Sequence, residues 1–416
     1  MTLRRHLTDI APLRESRTFR EIWSASLATG TAGQVAAVAA LAQVWGLTAD
    51  PVWVGAIGLA QGVPTLALGV VGGSLADRSD RRTLVLVSTS GQALAALGLT
   101  AQAMLGNTSP WPVLGMLAVG AGAGALGSPA RRTLPVRLLP RHRVVAGLAL
   151  QNLAFQASML VGPALGGLVI AVSLPAAYGV QAAMTPLALA AASRLPPLPP
   201  DRASGTKVAS GGWSFALRLP VLRGALLTDL ATTTLSMPIA IFPMVNALRF
   251  DDDPRTLGLF LSATALGGIG AGLLSGSVAR LRRAGLVQLV CAIIWGLALV
   301  GFGLAAPILL ALGFLVLAGA ADTVGVVLRS GLVQLVTPDA LRGRVSAVDH
   351  VVGVAGPDIG TLRGGILAAA VGAPAALVIG GISAALAATA VGLTHPQLVA
   401  HDNEAVKPSG HGVDHR

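Results

Sequence analysis

Charged side chains lie within long apolar segments of this 416-residue chain, among them Asp229, Asp322, Asp358, Arg329 and Arg363. A charge at the centre of a bilayer costs about 2.5–3.5 kcal/mol even on the lenient insertion scale, so such residues usually face an internal cavity. A buried carboxylate can take up and release a proton as its surroundings change. The three aspartates are therefore our candidates for proton coupling. A structural ion pair with Arg329 or Arg363 is the alternative of equal weight.

Spacing limits which of these charges can pair within one helix. Asp322 and Arg329 are seven residues apart, about 10 Å along a helix axis, which is too far for direct pairing. Asp358 and Arg363 are five residues apart and point in directions that differ by roughly 100° or more. Arg329 and Arg363 are thus candidate charge partners for residues of other helices, and we expect one network to link the helices that carry these charges with that of Asp229.

Neutral polar side chains in the apolar segments are candidates for a substrate path. They are Gln34, Asn152 and Gln156, the last two of which are one helical turn apart. Hydrogen bonding between helices explains such amides equally well.

Three further residues are expected to have no direct role in this chemistry. Asp349 and His350 lie near one end of an apolar segment and are interpreted as residues of the membrane interface. Trp295 is expected to face lipid.

The elements that position these residues follow from composition. Of all residues 53% are hydrophobic and only 11% are charged, the mean hydropathy is +0.73, and 52 residues are glycine. A helix needs about 20 apolar residues to cross the hydrocarbon core. Since backbone polar groups must be paired internally there, apolar runs of this length are helices.

Twelve such runs are predicted, six in each half of the chain. In the first half they cover residues 22–46, 52–76, 83–105, 111–130, 144–172 and 175–193. In the second half they cover residues 221–247, 256–279, 286–305, 308–333, 345–371 and 374–394. The fold class is therefore an all-α integral membrane protein with twelve transmembrane helices in two pseudo-symmetric halves.

The net charge of +11 is explained by membrane orientation. If the N terminus is cytoplasmic, all 29 Lys and Arg residues fall in cytoplasmic segments except Arg249, Arg255, Arg329 and Arg363. Cytoplasmic loops carry such an excess of positive charge. Both termini are thus predicted in the cytoplasm, and no nucleic-acid partner is needed to account for the charge.

A Pro-, Gly- and Ser-rich stretch at 195–212 has the composition of an exposed linker. We expect a cytoplasmic N-terminal segment over 1–21, a six-helix half over 22–193, a cytoplasmic linker over 194–220, a second six-helix half over 221–395 and a cytoplasmic tail over 396–416. Three weak repeats connect the halves, as duplication of a six-helix unit would produce. GSLADRSDRR at 73 resembles GSVARLRR at 276, LLPRHRVVAGLAL at 138 resembles VTPDALRGRVSAV at 336, and VGPALGG at 161 resembles AGPDIGTLRGG at 355.

The segment GSLADRSDRR resembles the signature loop of the major facilitator superfamily at every defining position. FREIW at 19, RLPPLPPDR at 194 and TPDALRGRVSAV at 337 resemble the enterobactin exporter group of drug and siderophore efflux proteins. The resemblance covers nearly the whole chain. It implies a bacterial inner-membrane transporter that works by alternating access, with Asp77 and Arg81 in a gating loop made by Gly73, Asp77, Arg78, Arg81 and Arg82. A tight turn with ordinary positive-inside charges is the alternative for this loop.

The fifth predicted helix carries Gly162, Pro163, Gly166 and Gly167. These residues resemble the core of the antiporter motif of the superfamily, although the upstream glycine is replaced by Leu153. They support antiport, while close helix packing is the alternative.

Other functions lack their motifs. The sequence contains no HExxH, GxSxG, CxxC or GxxxxGK[ST] pattern, and Cys291 is the single cysteine, so neither an enzyme nor a nucleotide-driven pump is indicated. No cofactor and no metal site are predicted. We expect a monomeric secondary transporter that exports a small amphipathic compound, a drug or a siderophore-like metabolite, in exchange for protons. A facilitated or lipid-transfer carrier without proton coupling is the alternative.

Overall fold

The structure is a computed structural model that describes residues 9–199, 211–274, 278 and 281–401, and for Asp77 and Ala340 the backbone alone. Within these residues the chain is helical and contains no strand. Residues 200–210 of the predicted linker over 194–220 lie outside the described residues, as do residues 402–416 of the tail over 396–416 and residues 1–8 of the N-terminal segment.

Twelve long helices, α1 to α12, follow each other along the described chain. The first six are α1 Arg17–Thr48, α2 Pro51–Arg78, α3 Arg81–Met104, α4 Pro110–Leu138, α5 Val144–Ile170 and α6 Leu174–Ser193. The other six are α7 Pro220–Arg249, α8 Pro254–Leu273, α9 Ala284–Leu304, α10 Ile308–Val336, α11 Asp339–Val371 and α12 Ala373–Thr394. Short helices Ala11–Glu15, Gly212–Arg218 and Pro396–Ala400 flank them.

Ten of the described helices are long and apolar enough to cross a membrane. The two long helices outside this set are α6 and α11. Helix α6 is rich in alanine and contains Gln181 and two prolines, while α11 contains six charged residues. Their packing against apolar neighbours places them in the same bundle.

Polar side chains and prolines fix where the helices begin. Ser16, Asp50, Asp80, Ser109 and Asp253 each precede a long helix and accept a hydrogen bond from a backbone N–H of its first turn. Proline opens several of these helices, where the missing N–H costs nothing. The hydropathy pattern alone misplaces some ends: α4 runs eight residues beyond the predicted end at 130, and α11 starts six residues before the predicted start at 345.

The two halves share one packing pattern. Helix α1 packs against α5 and α6, α2 against α4, and α3 against α4 and α6. Six helices further along, α7 packs against α11 and α12, α8 against α10, and α9 against α10 and α12. This correspondence is what a duplicated six-helix unit produces.

The repeated Gly-Pro segments occupy equivalent places in this pattern. Gly162 of α5 lies against α1, where a Cβ would overlap the Gln34 side chain. Gly356 of α11 lies against α7, where a Cβ would overlap the Thr233 side chain. The weak sequence repeat therefore marks one structural contact that is present once in each half.

Glycines bring the halves together at one end. The bundle has two ends. The arginine end carries the connections at 79–80, 139–143 and 337–338. The far end is the opposite one. Near the far end a Cβ at Gly58 of α2 would lie 2.6 Å from the carbonyl oxygen of Asp358 in α11. On the other side of the bundle, a Cβ at Gly167 of α5 would lie 2.8 Å from the Cα of Arg255 in α8. Small residues allow such close backbone approach in a membrane.

The same helices separate toward the arginine end. Gly69 and Gly73 lie on the same face of α2 as Gly58, yet no atom of the described residues lies within 4 Å of a Cβ built at either position. The same holds for Gly272, near the arginine end of α8. Within the part of the chain that the structure describes, the halves thus enclose a cleft that is closed at the far end and open at the arginine end.

Glycine packing within the second half yields a test of this architecture. A Cβ at Gly319 of α10 would overlap the backbone carbonyl of Thr264 in α8, whereas a Cβ at Gly313 of the same helix would meet open space. Overpacking costs about 1–3 kcal/mol. We expect Gly319→Ala to lower the midpoint of thermal unfolding in detergent by several degrees, measured by fluorescence-detected gel filtration after heating.

Gly313→Ala is the matched control. It adds a helix-favouring methyl group without a clash and is expected to leave the midpoint unchanged or slightly higher. Equal midpoints for the two variants would contradict the close approach of α8 and α10.

Candidate functional site

A buried guanidinium joins three helices of the second half. Arg329 of α10 forms ion pairs with Asp229 of α7 and with Asp349 of α11, the latter over 2.8 Å between Nε and Oδ1. The three side chains are 5%, 11% and 16% exposed respectively. Asp349, which the sequence predicts at the membrane interface, is instead a largely buried member of this cluster.

Local geometry makes room for the cluster. A Cβ at Gly353 of α11 would lie 3.2 Å from Nη2 of Arg329, so a larger residue there would press on the guanidinium. Two carboxylates face one guanidinium, and the group carries an excess of one negative charge when all three are ionised. An excess charge in a poorly solvated region is energetically costly.

Asp322 of α10 lies near Asp229, on the side of the cluster that faces a small cavity. It lines this cavity between α7, α9 and α10 together with Asp229, Thr232, Gln288 and Trp295. The cavity measures about 30 Å³, which is room for about two water molecules. Asp322 makes no ion pair or hydrogen bond with any residue that the structure describes.

Trp295 corrects a second sequence prediction. The sequence predicts that it faces lipid, but it is buried and its indole N–H donates to the hydroxyl of Ser236 over 2.8 Å. Its ring forms part of the wall of the small cavity. Hydropathy could not reveal this, because a tryptophan side chain suits either environment.

Asp358 occupies a different position, at the contact between the halves. A Cβ at Gly62 of α2 would lie 2.8 Å from its carboxyl carbon, so the carboxyl group rests directly on the α2 backbone. Among the described residues it has no ion-pair or hydrogen-bond partner. The repeat aligns Asp358 with Ala164 of the first half, so the equivalent position there is not ionisable.

Arg363 is not paired with a carboxylate among the described residues. Its Nη1 donates to the backbone carbonyl of Leu235, where α7 is interrupted at Met237 and Pro238. The guanidinium therefore satisfies a carbonyl that the broken helix leaves without an internal partner.

The antiporter-like motif of α5 is a packing surface in this conformation. Gly162 and Gly166 lie against α1, Gly167 lies against α8, and the carbonyl oxygen of Pro163 meets Gly258 of α8. The motif therefore packs against α1 of its own half through one face and against α8 of the second half through another face.

The gating-loop residues contact their own half. The Arg81 guanidinium donates to the carbonyl of Pro199, beyond the end of α6, and that of Arg82 donates to the carbonyl of Ser193, the last residue of α6. Gly73 is unobstructed and Arg78 is exposed. The side chain of Asp77 is outside the described atoms; Asp80, which sequence reasoning does not single out, caps α3 and also accepts from the N–H of Leu198.

The candidate substrate-path residues separate into two places. Gln34 lines a large cavity inside the first half. Asn152 is exposed and Gln156 is half-buried, and both lie on the face of α5 that meets α8 nearer the far end. These two residues therefore border the cleft between the halves.

The large cavity contains a charge that the sequence prediction misses. It measures about 400 Å³ and lies between α1, α3, α4, α5 and α6. Arg131 lines it, and its Nη2 donates to Ser88 at 2.8 Å, to Thr89 at 3.1 Å and to Gln92 at 2.9 Å. The sequence prediction places Arg131 in a cytoplasmic segment because the fourth predicted run ends at 130. The polar spacing on α3, at positions i, i+1 and i+4, is the signal that could have revealed it.

Comparisons with known proteins agree with this architecture. A family model described as "Transmembrane secretion effector" matches residues 7–415. The enterobactin exporter EntS of Citrobacter koseri is 30% identical over 305 residues, which cover 71% of this chain and 72% of that protein. The EntS protein of Shigella boydii is 28% identical over 369 residues, which cover 86% of this chain and 88% of that protein.

A solved structure shares the fold. The crystal structure of a POT family transporter in complex with 5-aminolevulinic acid superposes with a TM-score of 0.75 at 12% identity, covering 92% of this chain and 97% of that one. This chain belongs to the transmembrane secretion effector family and is a transporter of the major facilitator superfamily. It is a multi-pass membrane protein and not an enzyme.

The Arg329 cluster yields a stability prediction. Arg329→Gln leaves Asp229 and Asp349 buried without their positive partner, and breaking a buried ion pair costs about 3–5 kcal/mol. We expect a marked loss of monodisperse protein in detergent and a lower midpoint of thermal unfolding, both measured by fluorescence-detected gel filtration.

Arg342→Gln is the control, because that side chain is 46% exposed and pairs with the exposed Asp339. Exposed pairs contribute about 0–1 kcal/mol, so little change is expected. Adding Asp229→Asn and Asp349→Asn to Arg329→Gln should recover part of the lost stability. Wild-type stability of Arg329→Gln alone would show that the cluster is not an ion-pair site.

Proposed function

We propose that this transporter exports a small amphipathic compound in exchange for protons, by alternating access of the cleft between its two halves. The observation that carries the proposal is the surplus of buried acid in the second half. Asp229 and Asp349 pair with the guanidinium of Arg329, and Asp322 lies with Asp229 beside a cavity large enough for water only. Such an arrangement suits binding of a proton and not of an organic substrate.

Asp322 is the residue that we assign to proton binding. It has no ion-pair partner among the described residues, whereas Asp229 and Asp349 are held by Arg329. It also faces the water-sized cavity, through which a proton can arrive. Asp358 is the second candidate, because its carboxyl group lies at the contact between α2 and α11. This group would be exposed when the contact opens and covered when it closes.

Alternating access is supported by the one-ended contact between the halves. Among the described residues, the glycines through which α2 meets α11 and α5 meets α8 lie near the far end. Rocking about such contacts can close the arginine end while opening the far end. The loop with Arg81 and Arg82 lies at the end that must close, which supports its proposed gating role together with Asp77.

The direction and substrate class are supported by relatives. The proteins from Citrobacter koseri and Shigella boydii are named enterobactin exporters, so a siderophore-like metabolite or a drug of similar polarity is the proposed cargo. We place the protein in the bacterial inner membrane as a monomer, with the arginine end and both termini in the cytoplasm. On this orientation the structure is inward-open.

Replacing the acids one at a time tests proton coupling. We expect Asp322→Asn to abolish proton-driven export, because an amide cannot bind and release a proton at neutral pH. The measurement is accumulation of enterobactin and of a panel of hydrophobic drugs in everted vesicles, with and without a proton-collapsing ionophore. Asp229→Asn and Asp358→Asn belong in the same series, and Asp339→Asn, at a side chain that is 88% exposed, is the control.

Unchanged, ionophore-sensitive export by all three variants would contradict the assignment of these aspartates. Wild-type movement of substrate that ignores the ionophore would instead favour the alternative function, a facilitated or lipid-transfer carrier without proton coupling.

The orientation can be tested by cysteine labelling, since Cys291 is the single cysteine and is buried. Thr108 lies in an exposed connection at the far end, and His142 lies in an exposed turn at the arginine end. We expect a membrane-impermeant maleimide to label Thr108→Cys, but not His142→Cys, in intact spheroplasts. Both should be labelled after the membrane is permeabilised, and the reverse pattern in spheroplasts would invert the proposed topology.

A further inference from the structure

We propose that the cavity inside the first half binds a small organic anion that also carries a hydroxyl or N–H donor. In this site Arg131 takes the acid group and the side-chain carbonyl oxygen of Gln181 accepts from the donor. The inference rests on the proposed transport function and adds a substrate class to it.

Charge is the first argument. The cavity is lined by residues of five helices, and none of the described lining residues is acidic. The partners of Arg131 are Ser88, Thr89 and Gln92, which are all neutral. A cation that faces a membrane-embedded cavity without a counter-charge is costly, and an anionic ligand offsets this cost.

Unused hydrogen-bonding capacity is the second argument. All three bonds of Arg131 are made by Nη2, while Nη1 and Nε have no partner among the described residues. These N–H groups are available for charge-assisted bonds to a carboxylate or another oxyanion. Since guanidinium groups stay charged at any physiological pH, the preference for an anion is permanent.

A buried acceptor supplies the third argument. Oε1 of Gln181 is buried without a hydrogen-bond partner among the described residues, and the residue lines the same cavity. Buried acceptors are nearly always paired in folded proteins, so an unpaired one beside a cavity indicates a place for a ligand donor. A hydroxyl or N–H group on the ligand would donate the missing hydrogen bond to this oxygen.

Size and walls define the remainder of the ligand. The volume of about 400 Å³ lies within the range of small-molecule sites, and it exceeds the cavity beside Asp322 more than tenfold. Apolar side chains of Ile22, Val85 and Leu134 form part of the wall. The cavity therefore fits an acid with a compact apolar body, such as a hydroxylated aromatic acid.

Salicylate is a suitable probe, because it combines a carboxylate, a hydroxyl group and an aromatic ring. Salicylamide has the same shape without the charge. We would titrate both into purified full-length protein in detergent by isothermal calorimetry. We expect saturable binding of salicylate, at least about tenfold tighter than that of salicylamide, since a charge-assisted bond contributes about that factor.

Variants locate the site. Arg131→Gln should weaken salicylate binding at least about tenfold and remove the preference over salicylamide. Arg131→Lys keeps the charge and should retain the preference, which separates recognition from a purely structural role. Arg132→Gln, at the exposed neighbouring arginine of α4, is the matched control and should bind as the wild type does.

Three results would overturn the proposal: no salicylate binding by the wild type, equal affinity for salicylate and salicylamide, or wild-type binding by a monodisperse Arg131→Gln protein. Because calorimetry in detergent involves no proton gradient, these failures leave the proposed antiport untouched. Conversely, salicylate binding combined with ionophore-insensitive movement in vesicles would remove the antiport and keep the anion site.

Discussion

The whole architecture depends on how helices associate in an apolar solvent. Lipid is as apolar as leucine, so burying a leucine face gains little there, and contact must come from close backbone approach and from paired polar groups. The first device is visible at Gly58 and Gly167, which bring the two halves together at the far end. The second is visible at Arg329, which ties α7, α10 and α11 to one another. The first device therefore acts between the halves, and the second acts within one half.

The two halves share a framework but differ in chemistry. Both repeat the same helix contacts and the same Gly-Pro contact between their first and fifth helices. The second half carries a surplus of acid around Arg329, whereas the first half carries the cation Arg131 in a cavity without acid. The two halves thus share a symmetric framework, and a few interior positions give the second half its acidic side chains and the first half its cation.

Sequence predicts this fold well because hydropathy reports directly on the solvent. Twelve helices, their division into halves and the internal repeat can all be inferred, since a membrane span needs a long apolar run. Exact helix ends cannot, because a helix continues beyond the hydrocarbon wherever its polar residues find partners. Sequence reasoning assigns Arg131 to a loop for this reason, although Ser88, Thr89 and Gln92 hold it inside the bundle. It assigns Asp349 to the interface for the same reason, since the partner Arg329 lies on another helix.

The interruption of α7 at Met237 and Pro238 divides one membrane-crossing helix into two segments. The segment that contains Asp229 is held by the charged cluster. The other segment ends at Arg249, whose guanidinium donates to the carbonyls of Gly303 and Ala305 at the far end of α9. Arg363 lies at the break and binds a carbonyl that no helical N–H can reach. A change of charge at Asp229 can therefore reorient the first segment while the second stays anchored, so α7 can bend at the break and need not move as one rigid helix.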